Sequence, residues 1–136
     1  MKYILAALSL AFTIFVVAQE PLRFPPQKGT YSVFIYRHLD GDTVDFYWLI
    51  PDSGRLVGIN APEIHSKDPV EKARGLASKA ELEKLIPGGI YTVEIQGKEK
   101  FGRTLLKVFT KDGKDASSEM VKIGAAKLWN GKGPRP

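Results

Sequence analysis

Residues 70–89 have the sequence VEKARGLASKAELEKLIPGG, which predicts one long helix over Val70–Ile86. The helix is expected to end there because proline and glycine follow it directly. Its apolar residues form two stripes on nearly opposite sides: Ala73, Leu76, Ala77 and Ala80 on one, and Leu82, Leu85 and Ile86 on the other. We therefore expect this helix to be buried on two sides, or to bend.

Short strand patterns lie on both sides of this helix. Alternating apolar and β-branched residues predict a strand over Thr30–Leu39 and a second strand in which Val44, Phe46, Trp48 and Ile50 share one face. Residues 51–54, Pro-Asp-Ser-Gly, predict a turn before a third strand, Arg55–Ile59. After the helix come two further strands and a short helix, predicted over Ile90–Gln96, Thr104–Thr110 and Ser117–Ile123.

The order of these elements predicts the fold class. Three strands, a long helix, two strands and a short helix indicate a mainly β protein with helices (α+β). The architecture that fits this order is a five-stranded OB-fold barrel. An SH3-like barrel offers no natural place for the long helix. Since OB barrels bind oligonucleotides, oligosaccharides and proteins alike, the fold class does not by itself indicate the function.

Composition narrows the class of protein. The chain has 136 residues, of which 43% are hydrophobic and 26% charged, as in one ordinary globular domain. Cysteine is absent from the sequence, which excludes disulfides, a thiolate zinc site and a cysteine nucleophile. The net charge of +5 is compatible with a polyanionic partner but does not require one.

The first residues predict a targeting segment. A basic start, Met1-Lys2-Tyr3, precedes the apolar residues 4–17, and Val16-Val17-Ala18 places small residues at the two positions that a signal peptidase reads. The apolar run is shorter than the roughly 20 residues needed to cross a bilayer. We expect residues 1–18 to be a signal peptide and the protein to be exported, either secreted or periplasmic. An uncleaved membrane anchor is the alternative.

The rest of the chain divides into three predicted parts. Residues 19–29 contain three prolines and predict an extended lead-in. Residues 30–129 form the predicted barrel domain. Residues 130–136 predict a flexible tail.

Oxygen-bearing residues cluster in two short segments. Asp42 belongs to an acidic pair in a turn, which by itself is ordinary turn chemistry. The proline at the end of the third strand is flanked by three oxygen donors: Asn60, the Ala61 carbonyl and Glu63. Taken together, they predict an oxygen-only site, which suits Ca²⁺ or Mg²⁺ rather than zinc.

Two arginines give this predicted site groups that can bind phosphate. Arg55 begins the third strand, and Arg103 closes a basic hairpin over residues 98–103. Guanidinium groups neutralise phosphate through paired hydrogen bonds, a carboxylate can deprotonate water, and a divalent ion stabilises the charge of the transition state. These are the parts that a phosphodiester hydrolase requires.

Three motifs together resemble the staphylococcal nuclease (thermonuclease) family. They are Asp40-Gly-Asp-Thr-Val44, Arg55-Leu-Val-Gly-Ile-Asn-Ala-Pro-Glu63 and Lys100-Phe-Gly-Arg103, in the right order within about residues 30–127. The resemblance implies an OB barrel and an endonuclease that uses one Ca²⁺ ion. It further implies cleavage of DNA and RNA, with single strands preferred and 3′-phosphate ends left.

The resemblance also implies a role for each matching residue. The metal would be held by the side chains of Asp42 and Asn60 and the carbonyl of Ala61. Glu63 matches the proposed general base, Arg55 and Arg103 match the phosphate-binding arginines, and Lys100 matches a lysine that contacts a terminal nucleotide phosphate.

The sequence departs from the family pattern in three places. Asn60 replaces a carboxylate, which is expected to weaken Ca²⁺ binding because the site loses a charge. A nucleotide-stacking tyrosine pair is replaced by Asn130 and Lys132, and the nearby Trp129 could either stack on a base or plug the barrel. Where the family prototype continues into a third helix, this sequence has only the short tail, which is not expected to replace that helix.

Two other functions stay open at this point. One is a non-catalytic OB-fold module that binds nucleic acid. The other is an envelope interaction domain, which leaves Glu63 and both arginines unexplained. No self-complementary surface is evident from the sequence, so we expect a monomer.

Overall fold

A computed structural model describes residues 28–47 and 51–136. The predicted signal peptide, residues 19–27 of the lead-in, and the part of the predicted second strand that carries Trp48 and Ile50 lie outside the described residues. Within the described part, neither helix is long and apolar enough to cross a membrane.

Five strands close into a barrel in the order β1-β2-β3-β6-β5. Their bounds are β1 Gly29–Asp40, β2 Thr43–Tyr47, β3 Pro51–Leu56, β5 Gly89–Lys98 and β6 Thr104–Val108. All neighbours pair antiparallel except β3 and β6, which run parallel and close the barrel. Two short strands, β4 Ile59–Asn60 and β7 Lys127–Leu128, form a separate antiparallel ribbon. The predicted five-stranded OB-fold is confirmed.

The barrel interior follows from alternation along the strands. In β1, Val33 and Ile35 are buried while Phe34 and Tyr36 are exposed. In β2, Val44 and Phe46 are fully buried. Successive side chains of a strand point to opposite faces, so each strand supplies every second residue to the core.

The predicted turn at residues 51–54 is wrong, because these residues form most of β3. They pair with β2 in continuous register, from Thr43 opposite Arg55 to Tyr47 opposite Pro51. Their polar side chains form hydrogen bonds with the two neighbouring strands, β2 and β6. Ser53 donates to Asp45 (2.5 Å), and Thr104 donates to Asp52 (2.7 Å). These cross-strand hydrogen bonds hold in a strand a segment whose composition favours a turn. The predicted third strand, residues 55–59, ends instead at Leu56.

Helix bounds agree with the prediction to within one residue. The helices are α1 Pro69–Leu85 and α2 Ala116–Lys122. Each begins after an aspartate whose carboxylate accepts a backbone hydrogen bond, Asp68 from Val70 (2.9 Å) and Asp115 from Ser117 (3.0 Å). Strand β6 ends two residues earlier than predicted, where Phe109 forms an isolated bridge with Asp115.

The expectation that α1 is buried on two sides is wrong. Leu76 is about half exposed, and the alanines of its stripe are exposed as well. The buried residues of α1 are Gly75, Ser78 and Leu82. Leu82 enters the core, whereas Gly75 and Ser78 are small because the helix lies very close to the loop after β4 and to the turn at Gly41.

A buried histidine joins the end of α1 to the barrel. Nε2 of His38 on β1 lies 2.9 Å from the carbonyl oxygen of Ile86, the C-cap residue of α1. The ring must carry its proton on Nε2 to make this bond, since a carbonyl only accepts. His38 therefore positions the helix, whereas His65 is exposed.

We predict that Gly75→Ala lowers the melting temperature. Alanine is favoured over glycine inside a helix by about 1 kcal/mol. At this position, however, a Cβ would lie 2.8 Å from the carbonyl carbon of Glu63 and 2.9 Å from the amide nitrogen of Ile64. Forcing that loop to move costs about 1–3 kcal/mol, which outweighs the gain in helix propensity.

Thermal denaturation measures this effect, with the exposed Lys72→Ala in the same helix as control. The control should stay near the wild-type melting temperature. A higher melting temperature for Gly75→Ala would contradict the close packing of α1 on the loop.

Candidate active site

The candidate site is built around the carboxylate of Asp42, in the turn between β1 and β2. This residue is only 3% exposed. Its Oδ2 accepts the backbone N–H of Ala61 (2.9 Å), and its Oδ1 accepts the hydroxyl of Thr43 (2.9 Å). The carboxylate thus ties the β1–β2 turn to the segment that follows β4.

Helix α1 lies directly behind this turn. A Cβ on Gly41 would lie 1.9 Å from the Ser78 hydroxyl and 2.8 Å from the Ala61 side chain. Only glycine fits at this close approach. The helix therefore packs against both segments that carry the candidate site.

Arg55 is the buried cation of the site. It lies on β3 and is 5% exposed. Its Nη2 lies 3.5 Å from Oδ2 of Asp42 and donates to Oδ1 of Asn60 (3.3 Å). Its guanidinium carbon also lies 5.1 Å from the centre of the Trp129 ring. Arg55 thus contacts both candidate metal-binding side chains.

The environment of Asp42 disfavours its charge. Burial and, after it, the neighbouring Asp40 carboxylate raise the pKa of this carboxyl, and the net result is a pKa of about 6. Arg55 and the Ala61 N–H lower the pKa but do not compensate fully. A bound cation would relieve both causes of the shift.

The donor atoms fit a hard cation. Asp42, Asn60 and the Ala61 carbonyl offer only oxygen, and the carboxylate of Asp40 lies close enough to accept the N–H of Asp42 (3.1 Å). Oxygen donors suit Ca²⁺ or Mg²⁺. Over residues 28–47 and 51–136, no three His, Cys, Asp or Glu side chains form a metal cluster. The site therefore offers fewer charges than an all-carboxylate set.

Arg103 reaches the same end of the barrel from the β5–β6 hairpin. It makes two parallel bonds to Glu99, from Nε to Oε1 (2.7 Å) and from Nη2 to Oε2 (3.0 Å). Its Nη1 donates to the hydroxyl of Thr43 (3.4 Å), which in turn bonds Asp42. These bonds lower the pKa of Glu99 and raise that of Arg103.

Glu63 lies on the loop between β4 and α1, partly exposed. Its Oε1 accepts a hydrogen bond from Nη1 of Arg135 (2.6 Å), although 72 residues separate the two in sequence. The guanidinium carbon of Arg135 lies 5.8 Å from the centre of the Trp129 ring. Trp129 is partly buried at the rim of the barrel and does not belong to the hydrophobic core.

Lys100 stands apart from the buried cluster. It is exposed at the hairpin tip, with its ammonium 4.9 Å from the centre of the Phe101 ring. The structure thus brings five of the seven predicted site residues into one connected cluster: Asp42, Arg55, Asn60, Ala61 and Arg103. Glu63 joins this cluster through Arg135 and Trp129.

Three residues of the site are not predicted from the sequence. Asp40 lies within the first quoted motif and Glu99 directly precedes the third, so their spacing of two and four residues from Asp42 and Arg103 was an available signal. Arg135 had no such signal, because only the folded chain brings it to Glu63. The flexible tail stays a prediction, and its residues contact the site in this structure.

Similarity to known proteins shows the family of this chain. Residues 54–135 match the family model described as staphylococcal nuclease homologue. The chain belongs to this family. It is similar to uncharacterized endonucleases of Escherichia coli and of Escherichia coli O157:H7, at 33% identity over 97 residues in each case. It is also similar to endonuclease YhcR of Bacillus subtilis, at 30% identity over 112 residues.

These similarities cover different shares of each protein. The aligned part is 68% of this nuclease homologue and 57% of each Escherichia coli protein. For the Bacillus subtilis protein it is 75% of this chain but only 9% of the relative. The chain thus spans little more than half of its Escherichia coli relatives.

We predict that Asp42→Asn stabilises the metal-free protein more at pH 7.5 than at pH 4. The raised pKa of Asp42 means that the folded state prefers its protonated form. Protonated Asp42 stabilises the folded state fully at pH values below the pKa of this residue in the unfolded chain. The stabilisation is lost as the pH rises through about 6, the pKa in the folded protein. Asparagine does not titrate and escapes this loss. The free energy of unfolding of Asp42→Asn, relative to that of the wild type, should therefore rise by on the order of 2 kcal/mol between pH 4 and pH 7.5.

Urea denaturation with chelator at the two pH values measures this difference. Asp112→Asn is the control. Thr110 and Lys114 lower the pKa of that exposed carboxyl, so this substitution should destabilise the protein more at pH 7.5 than at pH 4. An Asp42→Asn effect that stays constant with pH would contradict the assigned environment.

Proposed function

We propose that this nuclease homologue is an exported, Ca²⁺-dependent endonuclease that hydrolyses phosphodiester bonds of DNA and RNA. The observation that carries the proposal is the convergence of Asp42, Arg55 and Arg103 at one end of the barrel. Thr43 links them, since it bonds Asp42 on one side and Arg103 on the other. Barrel packing alone does not require this combination of charges.

Calcium would be held by Asp42, Asn60 and the Ala61 carbonyl, and it would supply positive charge to neutralise the phosphate and its transition state. The oxygen-only donor set supports this choice of ion over zinc. The raised pKa of Asp42 supports it as well, because a cation favours the ionised carboxylate.

The two arginines would bind the scissile phosphate. A guanidinium forms directional, paired hydrogen bonds to phosphate oxygens and keeps its charge at any working pH. Arg55 is buried and held in place by Asp42 and Asn60, so it is already oriented before the substrate binds. Arg103 is oriented by its two bonds to Glu99. Such preorganised charge stabilises a transition state with little rearrangement.

Glu63 would act as the general base. Its partly exposed carboxylate can reach a water molecule and take one of its protons. The resulting hydroxide attacks phosphorus while the bond from phosphorus to the 5′ oxygen breaks. That oxygen leaves as a hydroxyl after protonation, and the phosphate stays on the 3′ side. The products expected are therefore a 3′-phosphate and a 5′-hydroxyl.

The substrate class follows from the groups that would contact it. All the proposed contacts are to phosphate, which carries no base identity and occurs in DNA and RNA alike. Lys100 on its exposed hairpin would bind a further, terminal phosphate. We propose single strands as the preferred form and a monomer as the active species.

Export is proposed from residues 1–18 alone. Their basic start, short apolar run and small residues are typical of a secretory signal peptide. The secreted or periplasmic location of the domain is part of the proposal.

A non-catalytic OB-fold module that binds nucleic acid is the second candidate function. One observation favours it: Oδ1 of Asn60 carries no charge and already accepts a hydrogen bond from Arg55. A weak metal site would leave the arginines to bind phosphate without hydrolysing it. This candidate predicts salt-dependent binding and no cleavage with any divalent ion.

We predict that Glu63→Gln and Arg103→Ala each lower turnover by about 10²–10⁴-fold, the range expected for loss of a general base or of a charge that stabilises the transition state. The melting temperature of Glu63→Gln should stay near that of the wild type, because the Glu63 side chain is about half exposed. Arg103→Ala should lower it, because the largely buried carboxylate of Glu99 loses both of its hydrogen bonds from Arg103. Cleavage of single-stranded DNA by residues 19–136 is measured with Ca²⁺, with Mg²⁺ and with chelator.

Glu83→Gln is the matched control for Glu63→Gln, since it removes the same charge from the exposed face of α1. It should cleave at the wild-type rate. Full activity of Glu63→Gln would show that the assigned mechanism is wrong. Binding without cleavage under all three conditions would favour the non-catalytic module.

We predict that Asn60→Asp tightens Ca²⁺ binding at least tenfold, which corresponds to about 1.4 kcal/mol. The added carboxylate restores a charge at the ion, and it can still accept the hydrogen bond from Arg55. Isothermal titration with Ca²⁺ measures the affinity. Asn130→Asp adds the same charge on an exposed residue outside the proposed metal ligands and should change the affinity little. Equal effects of the two substitutions would argue against Asn60 as a ligand.

A further inference from the structure

The C-terminal residues are folded back onto the site by defined contacts. The backbone N–H of Trp129 donates to the carbonyl of Gly58 (2.9 Å), which continues the pairing of β7 with β4. The indole N–H of Trp129 donates to the carbonyl of Lys132 (3.1 Å), and the N–H of Lys132 donates to the Asn130 side chain (3.0 Å). These bonds direct the following residues toward the loop that carries Glu63.

Arg135 is thereby placed within the cluster of proposed catalytic groups. It donates to Glu63 (2.6 Å) and shares the Trp129 ring with Arg55. The two guanidinium carbons lie 5.1 Å and 5.8 Å from the ring centre. Trp129 therefore connects a buried phosphate-binding arginine to a more exposed one.

The arginines of the site differ in how firmly they are held. Arg55 and Asp42 are almost fully buried, and the side chains of Arg103 and Glu99 are 26% and 16% exposed. The side chains of Arg135 and Glu63 are 42% and 46% exposed. An ion pair as open to water as the last contributes only about 0–1 kcal/mol. Arg135 can therefore leave Glu63 at little cost.

A phosphodiester entering the site offers Arg135 a better partner. Phosphate oxygens accept two parallel hydrogen bonds from a guanidinium, whereas the structure shows a single bond from Arg135 to Glu63. Transfer of Arg135 to a phosphate would also free Glu63 to accept a proton from water.

We infer that Arg135 is a third phosphate-binding residue, which binds the phosphodiester adjacent to the one that is cleaved and releases Glu63 when the substrate binds. This inference rests on the proposed nuclease function. In this proposal the C-terminal residues bind the substrate. The carboxylate of Glu63 is released from Arg135 only when the substrate is bound.

The test compares Arg135→Ala, Arg135→Lys and the control Lys132→Ala, with melting temperatures to verify folding. Lys132 lies on the same segment, so its substitution removes the same charge without touching Glu63. KM and kcat are measured on a single-stranded oligonucleotide with Ca²⁺, at salt concentrations from about 50 to 200 mM.

Arg135→Ala should raise KM about tenfold, equal to about 1.4 kcal/mol, and leave kcat within about twofold of the wild type. The slope of log(kcat/KM) against log salt should become shallower by about 0.7, as expected for one lost contact to a single strand. Arg135→Lys should keep the salt slope and recover part of KM. Lys132→Ala should leave KM within about twofold.

Three results would overturn the inference. A lower kcat with unchanged KM would mean that Arg135 only orients Glu63. A higher kcat/KM for Arg135→Ala would mean that the pair with Glu63 inhibits the enzyme. Equal effects of Arg135→Ala and Lys132→Ala would mean that only the net charge of the segment matters.

A binding measurement separates this inference from the proposed function. Anisotropy of a fluorescein-labelled oligonucleotide in chelator reports affinity without cleavage. If the wild type cleaves nothing but Arg135→Ala binds about tenfold more weakly with a shallower salt slope, the nuclease function fails and the phosphate contact stands. Unchanged binding and unchanged KM would refute the contact even in an active enzyme.

Discussion

The hydrogen bond from the Ala61 backbone to the buried carboxylate of Asp42 joins the two halves of the site. One half is the β1–β2 turn, and the other is the segment from Asn60 to Glu63. Burying a carboxylate costs several kcal/mol unless it is paired and hydrogen-bonded. Arg55, Thr43 and the Ala61 N–H meet this requirement only in part, since the pKa of Asp42 stays raised, and a cation would offset more of the cost.

Each arginine of the site has a carboxylate partner before substrate arrives. Asp42 pairs with Arg55, Glu99 with Arg103 and Glu63 with Arg135. The pairs hold the guanidinium groups in place at modest net charge. In the proposed function, a metal ion and a phosphate would each replace one partner of an existing ion pair, so that no new unpaired charge would be created in a buried site. Water screens the exposed pair of Arg135 and Glu63 but not the buried pair of Arg55 and Asp42. The exposed pair is therefore the easier one to separate.

The long helix shows how packing can override a residue pattern. Its most regular apolar stripe, which includes Leu76, faces solvent, while Gly75 and Ser78 face the protein. Apolar periodicity predicts burial when the partner surface is itself apolar and at ordinary distance. Here the partners are the backbone of Glu63 and Ile64 and the turn at Gly41, which approach so closely that only small residues fit.

The sequence by itself determined the barrel, its helices and five members of the connected site, because alternation, caps and the local motifs act over a few residues. Asp42, Arg55, Asn60, Ala61 and Arg103 all lie within such motifs. Only the tertiary structure decided that residues 51–54 form a strand, that two guanidinium groups lie near the Trp129 ring, and that Arg135 reaches Glu63. These features depend on contacts between residues far apart in the chain or on the register of paired strands. Local propensity carries no information about either one.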